Sequence, residues 1–200
     1  MSEHYYSRKP TAASDRQVIE AVLRGFRMRF VSDAGVFSKG GVDYGSRVLI
    51  ERMEIPEAAS VLDVGCGYGP IGLTAAKLDP KNRVVMVDIN ERAVELTRLN
   101  AEANGLSNVT VLQSDKLESV RGQSFDVILT NPPIRAGKAV VHEIFEEAFR
   151  HLADGGSLWI VIQNKQGAPS AKAKLEELFG EGAVTEIGKD KGYRIYRANR

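Results

Sequence analysis

The sequence predicts an α/β fold, a Rossmann-like doubly wound sheet of seven mostly parallel strands, and three observations carry that expectation. From Ser60 onward, short apolar runs alternate with segments of helical period, the pattern of a parallel sheet covered by helices on both faces. One apolar run, 61–64, leads directly into Gly65, Gly67 and Gly69 and then into a helical stretch. Three successive runs end in an acid, Asp63, Asp88 and Asp115, at the edge where open α/β sheets hold ligands.

Taken in chain order, Phe26, Met28 and Phe30 alternate with Arg27 and Arg29 after the turn residue Gly25, which predicts a hairpin. Residues 44–53 follow with helical spacing. Residues 1–59 are therefore expected to be an N-terminal extension packed on the sheet, and 60–200 the core of one single domain. Strands are expected at 60–64, 84–88, 109–113, 126–130 and 157–162. Helices are expected at 69–78, 91–104, 138–152 and 171–179, with Gly105 and the pair Gly155-Gly156 as stop signals. The segments 183–187 and 193–197, joined near Gly192, predict an antiparallel C-terminal hairpin at the sheet edge.

Composition narrows the function classes. Hydrophobic residues make up 43% of the 200 and charged residues 26%, the balance of a globular chain with a core of its own. The opening MSEHYYSRKP has no apolar run, and no stretch approaches a membrane span. A cytoplasmic protein without membrane association is expected. One cysteine, Cys66, and the scattered His4, His142 and His151 argue against disulfides and against metal catalysis. Cys66 reads as a small residue in the turn, and Trp159 as core. A net charge of +1 leaves nucleic acid open as a partner only through a local patch.

The glycine turn admits two ligands. Gly67, Gly69 and Gly72 spell a dinucleotide-type spacing, with Asp88 at the position of a ribose-binding acid. Asp63 weighs against a dinucleotide, because a buried carboxylate repels a phosphate and attracts a sulfonium or an ammonium. S-adenosylmethionine (SAM) carries both of those cations and no phosphate. Under that reading Gly65 and Gly67 allow close approach, and Asp88 accepts hydrogen bonds from the two ribose hydroxyls. Ile89 packs on the adenine, and Asp115 accepts a hydrogen bond from the adenine amine.

The fourth core strand ends in Asn131-Pro132-Pro133-Ile134. Two prolines remove two amide donors and fix the backbone, leaving carbonyl acceptors beside the Asn131 carboxamide. Such a loop suits an amino group as substrate, held by its protons so that the nitrogen lone pair is free for in-line attack. That is catalysis by orientation and electrostatics.

Together VLDVGCGYGPIGL, VVMVDINERAVELTRLNAEANG, the pair Ser114-Asp115 and DVILTNPPIRAGK resemble the class I SAM-dependent methyltransferases with the NPP signature. The segments GVFSKGGVDYGSRVLIE, LADGGSLWIVIQNKQGA and GYRIYRA look more narrowly like the RsmC-like 16S ribosomal RNA guanine-N2 methyltransferases, in a short single-domain form. The resemblance implies that Asp63, Gly65 and Gly67 hold the methionine part of SAM, Asp88 the ribose and Asp115 the adenine. Asn131, Pro132 and Pro133 would bind the target amine, and the partner implied is RNA, as ribosomal RNA or the small ribosomal subunit. Long members of that family carry a degenerate extra domain ahead of the catalytic one, so substrate delivery is expected to differ here. Many members place an aromatic residue after Pro-Pro, where this chain has Ile134 and Arg135. Arg135 could stack on a base or hold a phosphate.

Lys39, in the segment Phe37 to Gly41, is a further candidate substrate contact, on a loop placed to cover SAM. The basic residues Arg8, Lys9, Arg24, Arg27 and Arg29 and, near the other end, Lys189, Lys191, Arg194, Arg197 and Arg200 could join into a phosphate-tracking surface. Rival targets with the same chemistry are adenine and a protein glutamine amide. From other classes, a nicotinamide oxidoreductase and a non-catalytic RNA-binding module also remain open.

Overall fold

The computed structural model describes residues 5–200, which leaves His4 outside the described residues. Strands β1 (Gln17–Leu23) and β2 (Phe26–Ser32) pair antiparallel from Gln17↔Ser32 to Leu23↔Phe26. Arg24 and Gly25 between them have φ of 52° and 81°, the two positive angles a tight primed turn needs to match strand twist. Ile19, Ala21, Leu23, Met28 and Phe30 face the core, while Val18, Glu20, Val22, Arg27 and Arg29 face solvent. Helix α1 (Tyr44–Arg52) follows, with the Asp43 carboxylate accepting from Ser46 N at 3.1 Å as its N-cap.

The main sheet contains β3 (Ser60–Val64), β4 (Arg83–Asp88), β5 (Val109–Gln113), β6 (Phe125–Thr130), β7 (Leu152–Gln163), β8 (Val184–Asp190) and β9 (Tyr193–Asn199). Its order is β5-β4-β3-β6-β7-β9-β8, with β3 to β7 parallel and β9 antiparallel to both β7 and β8. Strand inner faces alternate between two cores. One holds Val61, Met86, Val127, Leu129 and Trp159 under α1, α2 (Pro70–Leu78), α3 (Glu91–Ala103) and the hairpin. The other holds Leu62, Val87, Ile128, Leu158 and Ile160 under α4 (Lys138–His151) and α5 (Ala168–Phe179). Because β3 and β6 are neighbours while the chain runs outward in opposite directions from them, their carboxyl ends form the switch point of the sheet.

Two elements, β7 and α5, start three or more residues ahead of the sequence reading, for local reasons. Gly155 and Gly156 do not stop α4; they lie inside β7, which begins at Leu152 directly after the helix. There the ladder to β6 shifts from Phe125↔Leu152 to Val127↔Ser157, a bulge that Gly155 meets with φ 81°. A Cβ on Gly156 would lie 2.9–3.1 Å from the carbonyls of Ala153, Asp126 and Phe125. Helix α5 starts at Ala168 and not at 171, because Gly167 caps it and Pro169 fits the first turn. Trp159 is core, 1% exposed, its indole donating to Ser157 Oγ at 3.0 Å. Among the described residues no helix is long and apolar enough to cross a membrane.

Candidate active site

The tips of β3 and β6 are pinned together. Val64 pairs with Thr130, and the Thr130 hydroxyl donates to the Val64 carbonyl at 2.8 Å. Chain continuing from one tip enters the glycine turn, and from the other enters Asn131-Pro132-Pro133. Gly65, Gly67, Asn131, Pro132 and Pro133 accordingly line one cavity together with Asp88 and Ile89.

Gly65 and Gly67 adopt φ of 74° and 59°, and a Cβ on either would meet no atom within 4 Å. The turn therefore needs glycine for its angles and leaves its cavity side open to a ligand. Its backbone is fixed from beneath: Gly65 N and Cys66 N donate to Val87 O at 2.9 and 3.0 Å, and Gly67 N to Asp88 Oδ2 at 2.8 Å. From α3, Thr97 Oγ1 donates to Gly67 O and Asn100 Nδ2 to Tyr68 O, both at 2.8 Å. Cys66 is buried in contact with Thr97. Sequence reasoning missed Thr97 and Asn100; polar residues at i and i+3 on the inner face of α3 were the available signal.

The three strand-tip acids fall into different settings. Asp63 is fully buried behind the turn, where Oδ2 accepts from Gly72 N at 2.9 Å and Oδ1 has no partner. Burial pushes its pKa up to about 7. Asp88 lines the cavity and accepts from Gly67 N and Asn90 N, and burial pushes it up to about 6. Ser114 lines the cavity, whereas the Asp115 carboxylate meets Arg8 at 3.4 Å and Lys116 at 3.3 Å at its margin. An unpaired buried carboxylate oxygen and a second desolvated carboxylate make the floor of the turn attractive to a cation. Asp88 on the cavity wall suits the ribose of SAM, while Asp63, which does not line the cavity, adds negative potential from behind the turn.

The Asn131 side chain is oriented by α1. Its Nδ2 donates to Asp43 Oδ2 at 3.0 Å and to Ser46 Oγ at 3.1 Å. Ionised carboxylates only accept, so the nitrogen must face Asp43, and Oδ1 is left as an acceptor. Asp43 and Ser46 were not singled out from sequence, although an Asp three residues ahead of Ser is a legible helix start. Beyond Pro133, Ile134 and Arg135 line an adjoining cleft with Asn131, Pro132, Asp43, Gln166 and Tyr193. Lys39 stands apart from both: its ammonium pairs with Asp15, and its carbonyl accepts from Ser32 Oγ.

Residues ahead of the hairpin close the cavity from above. The Tyr5 carbonyl accepts from Asn90 Nδ2 at 3.0 Å, and the Arg8 carbonyl from Glu91 N and Gln113 Nε2. Tyr5 and Tyr6 thus reach the cavity wall, with the Tyr5 ring 5.1 Å from Phe37. Much of the expected basic surface is engaged internally. Arg24 donates to the Ile50 and Met53 carbonyls at the end of α1, Arg194 pairs with Glu186, and Arg197 with Glu54. Arg200 binds the Phe149 and Leu152 carbonyls, and Lys191 sits 4.9 Å from the Tyr44 ring centre.

A family model described as the methyltransferase small domain matches residues 27–197. The Bacillus subtilis protein YbxB is 57% identical over 203 aligned residues, covering 100% of both chains. The ribosomal RNA small subunit methyltransferase C of Klebsiella pneumoniae is 37% identical over 80% of this chain and 47% of that one. The chain thus spans about half the length of the methyltransferase C relatives it matches. Among solved structures, the 16S rRNA N2 methyltransferase RsmC of T. thermophilus, in complex with AdoMet and guanosine, superposes with a TM-score of 0.83. It is 30% identical and covers 96% of this chain and 52% of its own. With a family model over most of its length, and with the switch-point geometry described above, the chain belongs to the methyltransferase small domain family of SAM-dependent methyltransferases.

Proposed function

We propose that the protein methylates an exocyclic amino nitrogen of an RNA base, the N2 of a guanine in small-subunit ribosomal RNA. The observation that carries this reading is the locked carboxamide of Asn131, whose Nδ2 is held by Asp43 and Ser46 on the wall shared with Gly65 and Gly67. When bound, SAM supplies an electrophilic methyl group. Asp63 and Asp88 bind its cations and ribose, Gly65 and Gly67 admit its methionine part, and Ile89 and Asp115 border its adenine. Asn131 Oδ1 and the Pro132 carbonyl accept hydrogen bonds from the two N–H groups of the amine, directing the nitrogen lone pair toward the glycine turn. Ile134 and Arg135 contact the base from the adjoining cleft. The extension 1–59 and the core 60–200 act as one domain, in the cytoplasm, on RNA or an assembled subunit.

The RNA substrate is supported by the small-subunit methyltransferase C relatives, and the guanine by the guanosine-bound RsmC structure, set beside a loop that offers acceptors to an amine. Mass mapping of nucleosides from a strain lacking this protein tests it. Loss of one N2-methylguanosine from small-subunit ribosomal RNA is the expected result. Unchanged RNA, with loss of a methyl group from a protein glutamine, would transfer the chemistry to a protein substrate.

A further inference from the structure

Beside the substrate cleft lies a separate cavity between the amino ends of α4 and α5, lined by Ile134, Lys138, His142, Ile162, Gln166 and Ser170. Ile134, Ile162 and Gln166 also line the cleft that contains Asn131 and Arg135, so the two spaces share a wall. At about 100 Å³ the cavity has roughly the volume of three waters, room for one ring or one phosphate group and not for a second cofactor. Its composition is divided. Ile134, Val141, Ile162 and Ala171 form an apolar side, and Lys138, His142, Gln166 and Ser170 form a polar rim.

Electrostatics favour an anion at that rim. The carboxylates on these helices that face His142, Glu146 and Glu177, share one partner, Lys174, at 2.9 and 3.3 Å, which offsets one of their two charges. Lys138 has no carboxylate within ion-pair distance among the described residues. His142 lines the cavity, with Nε2 3.4 Å from Ser170 Oγ and its ring stacked 6.2 Å from Phe145. The glycines that precede both helices provide no side-chain cap, so amide donors of the first turns add to the same field.

We propose that this cavity is a subsite for the nucleotide adjacent to the methylated base in single-stranded RNA. Only its ring enters the cavity, on the apolar side across Ile134, while its phosphodiester stays outside against Lys138 and His142 of the polar rim. Sequence-specific readers of RNA splay neighbouring bases into separate pockets, and the shared Ile134 wall spaces the two pockets for that. The inference rests on the RNA reading given above, and its test separates the two.

Labelled methyl transfer from SAM to small-subunit ribosomal RNA, prepared from a strain lacking the protein, is measured for the wild type, Lys138→Gln, His142→Gln and the double variant. Loss of two charge-assisted contacts is expected to raise KM for RNA about tenfold or more in the double variant. The kcat at saturating RNA and the calorimetric affinity for SAM stay within twofold of wild type. In competition assays a dinucleoside monophosphate inhibits the wild type better than guanosine, and that advantage disappears in the double variant. Wild-type labelling of RNA with an unchanged KM in the variants would overturn the subsite alone. Wild-type labelling of protein and not of RNA would overturn the RNA reading and the subsite together.

Discussion

Asn131 Nδ2 donates to Asp43 Oδ2 at 3.0 Å, joining the end of β6 to the N-cap of α1 across 88 positions of sequence. The same Asp43 oxygen accepts from Ser46 N, so one carboxylate both starts a helix and fixes which face of the carboxamide meets the cleft. Asp43→Asn preserves the cap but offers Asn131 an amide that both donates and accepts, which permits the carboxamide to turn over. Its kcat is expected to fall by about ten- to a hundredfold, and that of Asn131→Ala by a hundredfold or more, with SAM affinity and Tm near wild type in both. Single-turnover methyl transfer and calorimetry check this; a loss of SAM binding equal to the loss of rate would remove Asn131 from the acceptor role.

Two raised carboxylates make cofactor binding depend on pH. Burial lifts Asp63 to about 7 and Asp88 to about 6, against 3.8 for the free side chain. The cations of SAM favour ionised Asp63 and the ribose hydroxyls donate to ionised Asp88, so affinity for SAM is expected to level off above the Asp63 pKa of about 7 and to fall by up to about tenfold per group for each pH unit below its pKa. Stability of the ligand-free protein runs the other way. A carboxyl whose folded pKa is raised contributes stability that is complete below pH 3.8 and is lost as pH rises through 6 to 7. Calorimetry at pH 5.5 and 8 is the measurement, with Asp63→Asn removing the upper step. An affinity that does not change across that interval would separate these two acids from the cofactor.

How much of this was legible depended on whether a residue acts through its neighbours in sequence. The strand β3 and the glycine turn could be read because Val61 to Gly69 is one continuous strand-turn-helix signal, and Asn131-Pro132-Pro133 because proline restricts its own backbone. The carboxylates at the strand tips were found as a set, yet their settings were not. Asp63 lies behind the turn and Asp88 on its wall, a distinction set by α2 packing. Local pattern marks Asp43 as a helix start and Asn100 as a polar residue on the inner face of α3, but what each of them and Tyr5 holds is set by a fold contact with a segment far away in sequence. Gly155 misled for the opposite reason, because a helix stop and a strand bulge call for the same positive φ, and Gly156 is glycine for the close approach of three carbonyls.

Gly72, third in the glycine series, acts by packing and not by ligand contact. A Cβ there would lie 2.6 Å from Met86 Cε and 2.9 Å from Asp63 Oδ2, between β4 and the acid that Gly72 N itself binds. Gly72→Ala is expected to cost about 1–3 kcal/mol by overpacking, read as a lower urea midpoint at constant m-value. Gly182→Ala is the control, because a Cβ on Gly182 meets nothing within 4 Å. Equal midpoints for the two variants would show that β4 and α2 can separate without penalty.

Asn100 couples the N-terminal hairpin to the glycine turn. Fully buried on α3, it donates from Nδ2 to Val31 O at 3.0 Å and to Tyr68 O at 2.8 Å, and accepts from Val31 N at 2.7 Å. Asn100→Leu is nearly isosteric, so it leaves little cavity and instead strands one N–H and two carbonyls, at about 1–3 kcal/mol for each group that water cannot reach. The losses are not additive, because Val31 lies in a partly exposed strand and can relax toward solvent. A total of about 3 kcal/mol is expected, with faster amide exchange in β1 and β2 and weaker SAM binding, since the Tyr68 carbonyl anchors the turn. Asn100→Asp keeps the bond to Val31 N and loses both donors, so it should release the glycine turn while leaving the hairpin better protected than the leucine variant does. If both variants opened the hairpin equally and left SAM affinity unchanged, α3 would support the extension alone and the turn would be held from β4.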